Sequence, residues 1–338
     1  MNNVQWEDIM TKLTLPRRDL LTITGGALAA AATGLRAHAE VAQVNFGYQN
    51  TSWGTIGMIA GSEDLFKKAG GNVAIHTFDS GKTTRDAMIS GRIDIGVIGS
   101  TPFVIGAAKG ELEAIGLALY GAKTLAIVAG TKSGINSVKD LKGKKVGSQP
   151  GSATDAVFLN KILPKAGLTK DDVQLVNVRF QNHISALASG SIDAFAGVEP
   201  FPSVAEVEKL GKVLTDYSDY DLQPIILAAN KSAIDKNKDG VIAFMRGWLS
   251  AVKIYQDKRD QATAIVLKHF KDQGFSVNDQ VIKLMLSKID VNPDFGPQLK
   301  AYLTEESKTL LDQKKIDAIP DWNTRLNSSV LAAARAKA

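Results

Sequence analysis

The chain has 338 residues, a formal net charge of +5, 44% apolar residues and 22% charged residues, which together predict a soluble globular protein of one large or two ordinary domains. Because it has no cysteine, disulfides, thiolate metal sites and lipid attachment through cysteine are excluded. The charges of both signs are interspersed, so no nucleic-acid-binding stripe is predicted, although the slightly positive balance suits an anionic small ligand.

Residues 1–39 are predicted to be a secretory signal peptide. Two adjacent arginines at 17–18 precede a weakly apolar stretch at 20–34, and Ala-His-Ala at 37–39 forms an A-x-A cleavage signal. The paired arginines and the Gly/Ala/Thr-rich middle favour the twin-arginine export route, with the general secretion route as the alternative. We therefore expect a periplasmic protein that is cleaved near Ala39.

From Val41 onward, strand-like and helix-like segments alternate. Short β-branched and aromatic runs predict strands, whereas apolar residues at helical spacing that stop at glycine predict helices. The first unit is predicted to have strands at 41–49, 72–78, 93–99, 113–120 and 124–130, and helices at 54–71, 80–92 and 101–110. This rhythm predicts an α/β domain with a largely parallel sheet.

A second α/β unit follows with the same alternation of predicted strands and helices. Its predicted elements are a short helix and strand within 137–149, strands at 173–180 and 192–198, helices at 151–167, 182–191 and 202–211, and a closing segment at 212–218. An apolar strand at 223–234 comes next, and the chain is predicted to be helical from Lys238 onward. The fold class is therefore α/β, with two similar units in series and a helical remainder.

One phrase occurs in both units, as SGRIDIGVIGSTP and, about a hundred residues later, as SGSIDAFAGVEP. In both copies a helix ends at a glycine and a buried strand follows. Gly91 and Gly190 are therefore interpreted as residues that cap helix ends. Asp94 and Asp193 are expected to organise the turns that lead into the strands.

The two copies diverge at the ends of their strands, into Ser100-Thr101 in the first and Glu199-Pro200 in the second. Ligands of open α/β sheets bind outside the carboxyl ends of the strands. Two domains whose strand ends face each other would form a cleft that closes on a ligand by a hinge motion. Ser100 offers a hydrogen-bond donor suited to an anion. Glu199 instead offers a negatively charged acceptor, which repels an anion.

Four segments appear in a specific order: NFGYQNTSWG, SGKTTRDAMISGRIDIGVIGSTPFV, VKDLKGKKVGSQPGSATDAVFLNKIL and ALASGSIDAFAGVEPF. In this order the chain resembles the solute-binding proteins of bacterial ABC importers for aliphatic sulfonates, taurine and nitrate, to which a group that handles thiamine-pyrimidine precursors is related. The resemblance extends from about Val41 to about Asp235 and continues more weakly to the end. It implies two α/β lobes of the periplasmic-binding-protein type II kind, joined by two crossing strands, with a ligand cleft between them.

The resemblance also implies how the chain divides between the lobes. The crossing strands would be Thr124–Ala129 outward and Gln223–Ala229 back. The first lobe would comprise residues 40–126 and 224–338, including the C-terminal helices. The second lobe would comprise residues 127–223.

The function implied by the resemblance is capture of a small organic anion, above all a sulfonate such as taurine or an alkanesulfonate, and its delivery to a permease of the inner membrane. Such a protein is expected to be a monomer that needs no cofactor and catalyses no reaction. Nitrate, an aromatic carboxylate or a thiamine-pyrimidine precursor is the alternative ligand. An enzyme on the same two-lobed fold is the alternative of another class, although no acid/base pair or cofactor loop is evident.

The segment GSATD at 151–155 is the strongest candidate for the ligand site. It opens a helix, and the free N–H groups and positive dipole end of a helix N-terminus bind anions. Gly151, Ser152, Ala153 and Thr154 are therefore assigned to the site, with helix capping as the alternative role for Ser152. In the sulfonate-binding relatives a Gly-Ser segment here and a serine after the first-lobe strand contact the head group, which implies roles for Ser152 and Ser100.

The segment SGKTT at 80–84 imitates a phosphate-binding P-loop. The full pattern requires a glycine where this chain has His76, so nucleotide binding is not predicted. Ser80 and Gly81 are instead expected to form a helix-start loop that faces the cleft. Lys82 could add positive charge there.

Three further residues are assigned to the ligand site. Trp53 lies in the polar loop QNTSWG, and Tyr120 follows an apolar strand, so both are expected to form walls of the cleft against an apolar ligand tail. Gln181 follows a strand of the second unit. Trp53 and Tyr120 could instead belong to the core.

Glu199 has three open interpretations. In the taurine-binding relatives an acidic residue near this position holds the substrate ammonium, so Glu199 could bind a positive ligand end. It could instead pair with Arg179 or Lys82, or be exposed. The family often has tryptophan before this acid, whereas this chain has Val198.

No metal site is predicted. Residues 235–246 imitate an EF-hand loop, but Arg246 occupies the position that requires a bidentate glutamate. A polar turn that caps the next helix explains the segment. The three histidines after residue 40 are scattered without metal-ligand spacing.

Overall fold

The computed structural model of the protein describes residues 41–336, so the predicted signal peptide lies outside the described residues. The strands are β1 (Val44–Gln49), β2 (Val73–Phe78), β3 (Ile95–Gly99), β4 (Leu112–Tyr120), β5 (Leu125–Gly130), β6 (Lys145–Ser148), β7 (Gln174–Asn177), β8 (Ala194–Val198), β9 (Gly211–Asp216) and β10 (Pro224–Asn230). The helices are α1 (Thr55–Ser62), α2 (Leu65–Lys68), α3 (Gly81–Ile89), α4 (Ser100–Ala108), α5 (Ala153–Val157), α6 (Leu163–Lys165), α7 (His183–Ala188), α8 (Phe201–Val207), α9 (Lys231–Lys236), α10 (Lys238–Asp257), α11 (Arg259–Asp272), α12 (Asp279–Ser287), α13 (Leu299–Asp312), α14 (Trp322–Arg325) and α15 (Ser329–Arg335).

The strands form two five-stranded sheets with the same topology. The first has the order β2-β1-β3-β10-β4, and the second has the order β7-β6-β8-β5-β9. In each sheet the first three strands are parallel, and the fourth runs antiparallel to both of its neighbours. The prediction of two α/β units is confirmed. In each sheet four strands run in the same direction and one runs opposite to them, so the sheets are mixed but largely parallel. We call the part built on each sheet a lobe.

The chain passes between the sheets twice. The first crossover lies between β4 and β5, at 121–124, and the second lies between β9 and β10, at 217–223. Each strand that follows a crossover pairs antiparallel beside the third strand of the sheet it enters, which explains why both sheets are mixed. The predicted crossing strands overlap β5 and β10, whereas the exact division of residues between lobes stays a prediction.

The duplicated phrase forms the same structure in both lobes. Asp94 Oδ2 accepts the backbone N–H of Asn45 at 2.7 Å, and Asp193 Oδ2 accepts the backbone N–H of Lys145 at 2.8 Å. Asp94 thus joins the start of β3 to the start of β1, and Asp193 joins the start of β8 to the start of β6. Both preceding glycines have positive φ, 75° and 74°, as expected for residues that cap helix ends.

The C-terminal helices cover both faces of the first sheet. On one face, α10 carries Phe244 and Trp248 against Phe46 of β1, with ring centroids 4.8 Å and 5.9 Å from that of Phe46. On the other face, α13 packs against α4, and Trp322 of α14 lies 6.0 Å from Phe103. Aromatic contacts of this kind contribute about 0.5–1.5 kcal/mol each beyond area burial. This packing brings α13 to the carboxyl end of β3.

Two predicted helices are interrupted. The helix expected at 54–71 divides into α1 and α2 because Asp64 adopts the left-handed conformation, with φ of 53°. The helix expected at 151–167 contains a π-helical turn, Phe158–Ile162, between α5 and α6. Turns of this kind often occur at functional sites. None of the helices in the described region is both long enough and apolar enough to cross a membrane.

Candidate functional site

The strand ends of the two sheets meet at an interlobe junction. Ser52, in the loop after β1, donates its backbone N–H to the carbonyl oxygen of Glu199, after β8, at 2.9 Å. The indole Nε1 of Trp53 donates to Thr124 Oγ1 in the first crossover at 3.0 Å. The loop after β1 therefore contacts both the second lobe and the crossover that leads to it.

Trp53 and Ala153 meet at Gly99, the last residue of β3. A Cβ atom added to Gly99 would lie 2.7 Å from Cβ of Ala153 and 3.5 Å from the ring of Trp53. Ala153 begins α5 of the second lobe, so the absence of a side chain at Gly99 lets the two lobes approach closely. The structure thus brings two of the predicted site residues together in the junction.

Several buried polar atoms that border this junction have no hydrogen-bond partner within residues 41–336. They are Gln49 Oε1, Ser52 Oγ, Thr55 Oγ1, Thr154 Oγ1 and both amide atoms of Gln223. Buried polar groups are normally hydrogen-bonded, and an unmade bond costs about 1–3 kcal/mol. These atoms come from both lobes and from the second crossover. Uncharged hydroxyl and amide groups that lack a partner among the described residues thus occur near the strand ends of both lobes.

Ser100, at the start of α4, is bonded to a chain of buried side chains. Its Oγ lies 3.3 Å from the hydroxyl of Tyr302, and Tyr302 donates its proton to Asp221 Oδ1 at 2.7 Å. Because Tyr302 has one proton and gives it to Asp221, Ser100 must be the donor to Tyr302. Asp221 lies in the second crossover and also pairs with the ammonium group of Lys161 in the second lobe.

Thr101 is bonded to the same helix, α13. Its Oγ1 donates to Glu306 Oε1, and the other carboxylate oxygen of Glu306 is buried without a partner among the described residues. Burial raises the pKa of Glu306 to about 7, although the hydrogen bond from Thr101 opposes the rise. In this arrangement both hydroxyls direct their protons to α13, and the role of Ser100 as a donor to an anion stays a prediction.

The start of α5 is organised by Ser152 and Asp155. Ser152 Oγ accepts the backbone N–H of Asp155 at 3.1 Å and so caps the helix. The Asp155 carboxylate accepts from Ser148 Oγ at 2.6 Å and from the N–H of Gly151 at 3.2 Å. One N–H group that the sequence assigned to an anion is therefore occupied. The hydroxyl proton of Ser152 stays free to donate because the cap uses only a lone pair.

Ser80 and Gly81 form the start of α3. Ser80 caps the helix in a reciprocal pair of hydrogen bonds with Thr83, and it is buried. A Cβ atom on Gly81 would lie 3.3 Å from the side chain of Pro102 in α4. These two residues therefore hold α3 against the start of α4. Lys82, the next residue, is exposed.

Glu199 is neither exposed nor paired with Arg179 or Lys82, so two of its three interpretations are wrong. It is 1% exposed, and its Oε1 lies 2.6 Å from Nζ of Lys288, just after α12. Burial raises the pKa of Glu199, and the nearby ammonium group of Lys288 opposes the rise. Arg179 instead pairs with Asp79, at 3.2 Å.

A cavity of about 900 Å³ lies between the lobes beside the start of α5. Its lining includes the predicted site residues Thr101, Gly151 and Ser152, together with Lys82. Its apolar walls come from Ile105, Ala156, Leu159, Pro164 and Leu168, and its further cationic groups come from Arg85, Lys170 and Lys315. The lining thus combines hydroxyl groups and positive charge with an apolar wall.

A smaller cavity of about 260 Å³ lies between the ends of β1 and β2 and the second lobe. Gln181 lines it, and its Nε2 lies 3.4 Å from Asp79 Oδ1 in the first lobe. The remaining lining residues are Asn50, Thr51, Thr77, Gln273 and the aromatic rings of Phe78, Phe180, Phe201 and Phe275. Gln181 therefore lies at the interface between the lobes, as expected for a residue near the cleft.

Tyr120 lies outside both of these cavities. Its hydroxyl accepts from Gln298 Nε2 at 3.4 Å, and a bridge joins its backbone to Asp290. It lines neither of the two cavities described above. Its contacts are with the segment between α12 and α13, so the structure separates Tyr120 from the other predicted site residues.

Five residues that the sequence did not single out contribute to the site: Lys161, Asp221, Lys288, Tyr302 and Glu306. Their contacts join segments that are 60 to 205 residues apart along the chain, which no local pattern reveals. The sequence of α13 contains one indication that Glu306 is unusual. It falls on the same helix stripe as Leu299, Leu303 and Leu310, which are buried, so a carboxylate occupies a core-facing position.

Comparison with known proteins identifies relatives. The model of the NMT1-like family matches residues 37–268. A Bacillus subtilis (strain 168) protein named as a candidate aliphatic sulfonates-binding protein is 29% identical over 223 residues, 65% of this chain and 67% of that protein. An Escherichia coli (strain K12) protein with the same name is 28% identical over 247 residues, 72% of this chain and 76% of that protein.

The fold also has solved counterparts. The alkanesulfonate-binding protein from Xanthomonas axonopodis pv. citri, bound to MOPS, superposes with a TM-score of 0.74 at 21% identity, and the match covers 86% of this chain and 99% of that one. This likeness establishes the two-lobed fold. The family resemblance stated from the sequence is confirmed by the relatives and by this fold.

Proposed function

Because the chain belongs to the NMT1-like family, we propose that it is the substrate-binding component of an ABC importer and captures a small organic sulfonate between its lobes. The two curated relatives described above are named for binding aliphatic sulfonates, which supports this ligand class. The observation that carries the proposal is the set of buried, unpartnered hydroxyl and amide groups from both lobes at the junction.

These groups suit a sulfonate for a physical reason. A sulfonate spreads one negative charge over three oxygen atoms, so it is satisfied by several neutral donors as well as by one cation, and hydrogen bonds to a charged group contribute about 1.5–3 kcal/mol each. Ser52 Oγ, Thr55 Oγ1, Thr154 Oγ1 and Gln223 Nε2 are candidate donors. Lys82 adds positive charge at the edge of the larger cavity.

The two lobes would close over the ligand when it binds. The two crossovers are the covalent connections between the sheets, so a change in their backbone angles would move one lobe against the other. The Ser52–Glu199 and Asp79–Arg179 contacts join the lobes and would form on closure. A ligand that bridges both lobes stabilises this arrangement by its differential affinity for it.

The remaining parts of the proposal concern the location of the protein, its oligomeric state and its partner. The protein would be exported to the periplasm, act as a monomer, and deliver its ligand to an ABC permease without catalysing a reaction. Mass spectrometry of candidate ligands after incubation with the protein tests whether the protein catalyses a reaction. Recovery of every compound unchanged is expected, and a new product would favour an enzyme.

Ligand binding is tested with a protein that starts at Glu40. Taurine, ethanesulfonate, MOPS, nitrate, benzoate and a thiamine-pyrimidine precursor are titrated by calorimetry, and the melting temperature is measured with each. Sulfonates are expected to bind and raise the melting temperature, since a ligand at about 100 times its Kd stabilises by about 2.7 kcal/mol. Binding of nitrate, benzoate or the pyrimidine alone would overturn the sulfonate assignment.

A further inference from the structure

We propose that Asp221, Lys161 and Tyr302 form a hinge anchor, a set of contacts outside the cleft that holds the two lobes in the closed arrangement. The three residues are positioning residues, because they raise the affinity for the ligand without contacting it. The proposal rests on the proposed function and deepens it, since it identifies the contacts that set the balance between open and closed lobes.

The carboxylate of Asp221 connects the second crossover to both lobes. Its Oδ1 accepts the hydroxyl proton of Tyr302, on α13 of the first lobe, at 2.7 Å. Its Oδ2 pairs with the ammonium group of Lys161 in the second lobe, and none of the Asp221 side chain is exposed to solvent. A buried charge is costly unless it is paired and hydrogen-bonded. Asp221 therefore favours a position of the lobes that supplies both of its partners.

Lys161 is fixed by the core of the second lobe. It lies in the π-helical turn Phe158–Ile162, and the side chains at both ends of this turn are fully buried. Four residues later, the ammonium group of Lys165 donates to the carbonyl oxygen of Asp219 at 3.2 Å. Both lysines thus reach from the second lobe to the crossover at residues 219–221. The π-helical turn therefore has a role in holding the hinge.

Tyr302 brings the first lobe to the same carboxylate. The ammonium group of Lys161 lies 5.4 Å from the centroid of the Tyr302 ring, so the two lobes contact each other at the anchor. Nearer the end of α13, Gln313 Nε2 lies 3.4 Å from Asn160 Oδ1, beside Lys161. Because these pairs join different lobes, rotation of one lobe about the crossovers would separate them. Asp221 would then lose one of its two partners.

The hinge anchor is also bonded to Gln223, which is a candidate ligand contact. Asp221 Oδ1 accepts the backbone N–H of Gln223 at 2.6 Å. Gln223 has a φ of 46°, which residues other than glycine seldom adopt, so this bond helps to hold the crossover in its turn. Both amide atoms of its side chain are buried without a partner within residues 41–336. A ligand bonded to Gln223 therefore contacts the segment that Asp221 fixes between the lobes.

The position of the lobes is measured by double electron–electron resonance on the protein that starts at Glu40. Spin labels are attached to Lys67→Cys in α2 and Lys139→Cys in the second lobe, two exposed positions in a chain that has no other cysteine. The distance distribution of the wild-type protein saturated with ethanesulfonate defines the closed arrangement. Calorimetric titration of the unlabelled proteins measures the affinity for ethanesulfonate.

Lys161→Met and Tyr302→Phe each remove one partner of Asp221. Without ligand, both variants should contain less of the closed arrangement than the wild-type protein. Ethanesulfonate should bind at least about fivefold more weakly, because the apparent affinity falls with the closed fraction. Lys142→Met breaks a surface pair with Asp172 inside the second lobe, so it is the matched control and should behave as wild type.

Two further variants separate the hinge anchor from a general structural role. Lys161→Arg keeps a cation beside Asp221 and should keep most of the affinity. The double variant Lys161→Met/Tyr302→Phe should weaken binding by less than the product of the two single effects, because both changes act on one carboxylate. Lower melting temperatures with wild-type distance distributions and wild-type affinity in both single variants would overturn the proposal. Tyr302→Phe keeps the ring and its packing, so it decides the question should Lys161→Met fold poorly.

Failure of the hinge anchor differs from failure of the proposed function. If ethanesulfonate and the other sulfonates do not bind to the wild-type protein, the sulfonate assignment is wrong. The ligand-free distance distributions of the wild-type protein and the variants then still test the anchor, because they require no ligand. If ethanesulfonate binds equally to the wild-type protein and both single variants, the protein is a sulfonate binder and only the hinge anchor is rejected.

Discussion

Lys288 forms a 2.6 Å ion pair with Glu199 and thereby joins the end of α12 to the end of β8. The second oxygen of Glu199 accepts the backbone N–H of Ser203, and Lys288 also lies 3.3 Å from Ser203 Oγ. The carboxylate at the second strand end is therefore neutralised within the protein. The negative charge of Glu199 is thus compensated by Lys288, so this residue does not oppose the entry of an anionic ligand.

Replacement of Lys288 should destabilise the protein strongly. Lys288→Met leaves the carboxylate of Glu199 buried without its cation, and breaking a buried pair in this way costs about 3–5 kcal/mol. Urea unfolding followed by circular dichroism measures the change in the free energy of unfolding. Lys283→Met is the control, since Lys283 is exposed and its surface pair with Asp279 on α12 should contribute little to stability. A similar small loss in both variants would show that the Glu199 pair contributes little.

Local patterns predicted much of the fold. The alternation of short β-branched runs with glycine-terminated helical segments identified the two units, and the repeated phrase identified Gly91 and Gly190 correctly as helix-ending residues with positive φ. Asp94 and Asp193 do more than organise a turn, because each carboxylate accepts an N–H from the neighbouring strand. A sequence repeat shows that two sites are equivalent, but it does not show the bonds that they make.

The site was predicted less completely, because its polarity depends on helices far away in the chain. Ser100 was identified as a strand-end hydroxyl, yet Tyr302 determines where its proton points. Tyr120 follows an apolar strand, and its hydroxyl contacts Gln298, in the segment after α12, rather than lining either cavity. The contacts of Ser100 with Tyr302 and of Tyr120 with Gln298 span about 180 to 200 residues of the chain. They follow from tertiary packing, so the sequence contains no periodic pattern that predicts them.

His183 should make the protein sensitive to acid. Its ring is buried between Phe180 and Phe195, with centroids 5.6 Å and 4.7 Å away, and burial lowers its pKa from 6.5 to about 3. Between these pH values the unfolded chain binds a proton that the native protein does not, so stability is complete above pH 6.5 and falls as the pH decreases toward 3. The expected loss from this group at pH 4.5 is about 2–3 kcal/mol.

Unfolding free energies measured between pH 7.5 and 4.5 check this expectation. His183→Leu should remove the corresponding part of the pH dependence, whatever its effect on stability at pH 7.5. If the wild-type protein and His183→Leu lose stability in parallel, protonation of His183 is not responsible.

Ser152 should contribute to both stability and binding. Ser152→Ala removes the cap of α5 and should lower the free energy of unfolding by about 1 kcal/mol. It also removes the free hydroxyl proton and should weaken sulfonate binding by about 1–3 kcal/mol. Asn278→Ala removes the cap of α12 at an exposed position, so it should lower stability without changing sulfonate affinity. Unchanged sulfonate affinity in Ser152→Ala would show that capping is the whole role of this serine.

Gly99 should limit how closely the lobes approach. A Cβ atom at this position would lie 2.7 Å from Cβ of Ala153, far inside van der Waals contact, so Gly99→Ala must push the lobes apart. We expect at least about tenfold weaker sulfonate binding, since a shift of about 1.4 kcal/mol against the closed arrangement suffices. The double variant Gly99→Ala/Ala153→Gly transfers the methyl group across the junction and should recover most of the affinity. Calorimetric titration of the three proteins measures this, and equal loss in the single and double variants would mean that the clash with Ala153 is not the cause.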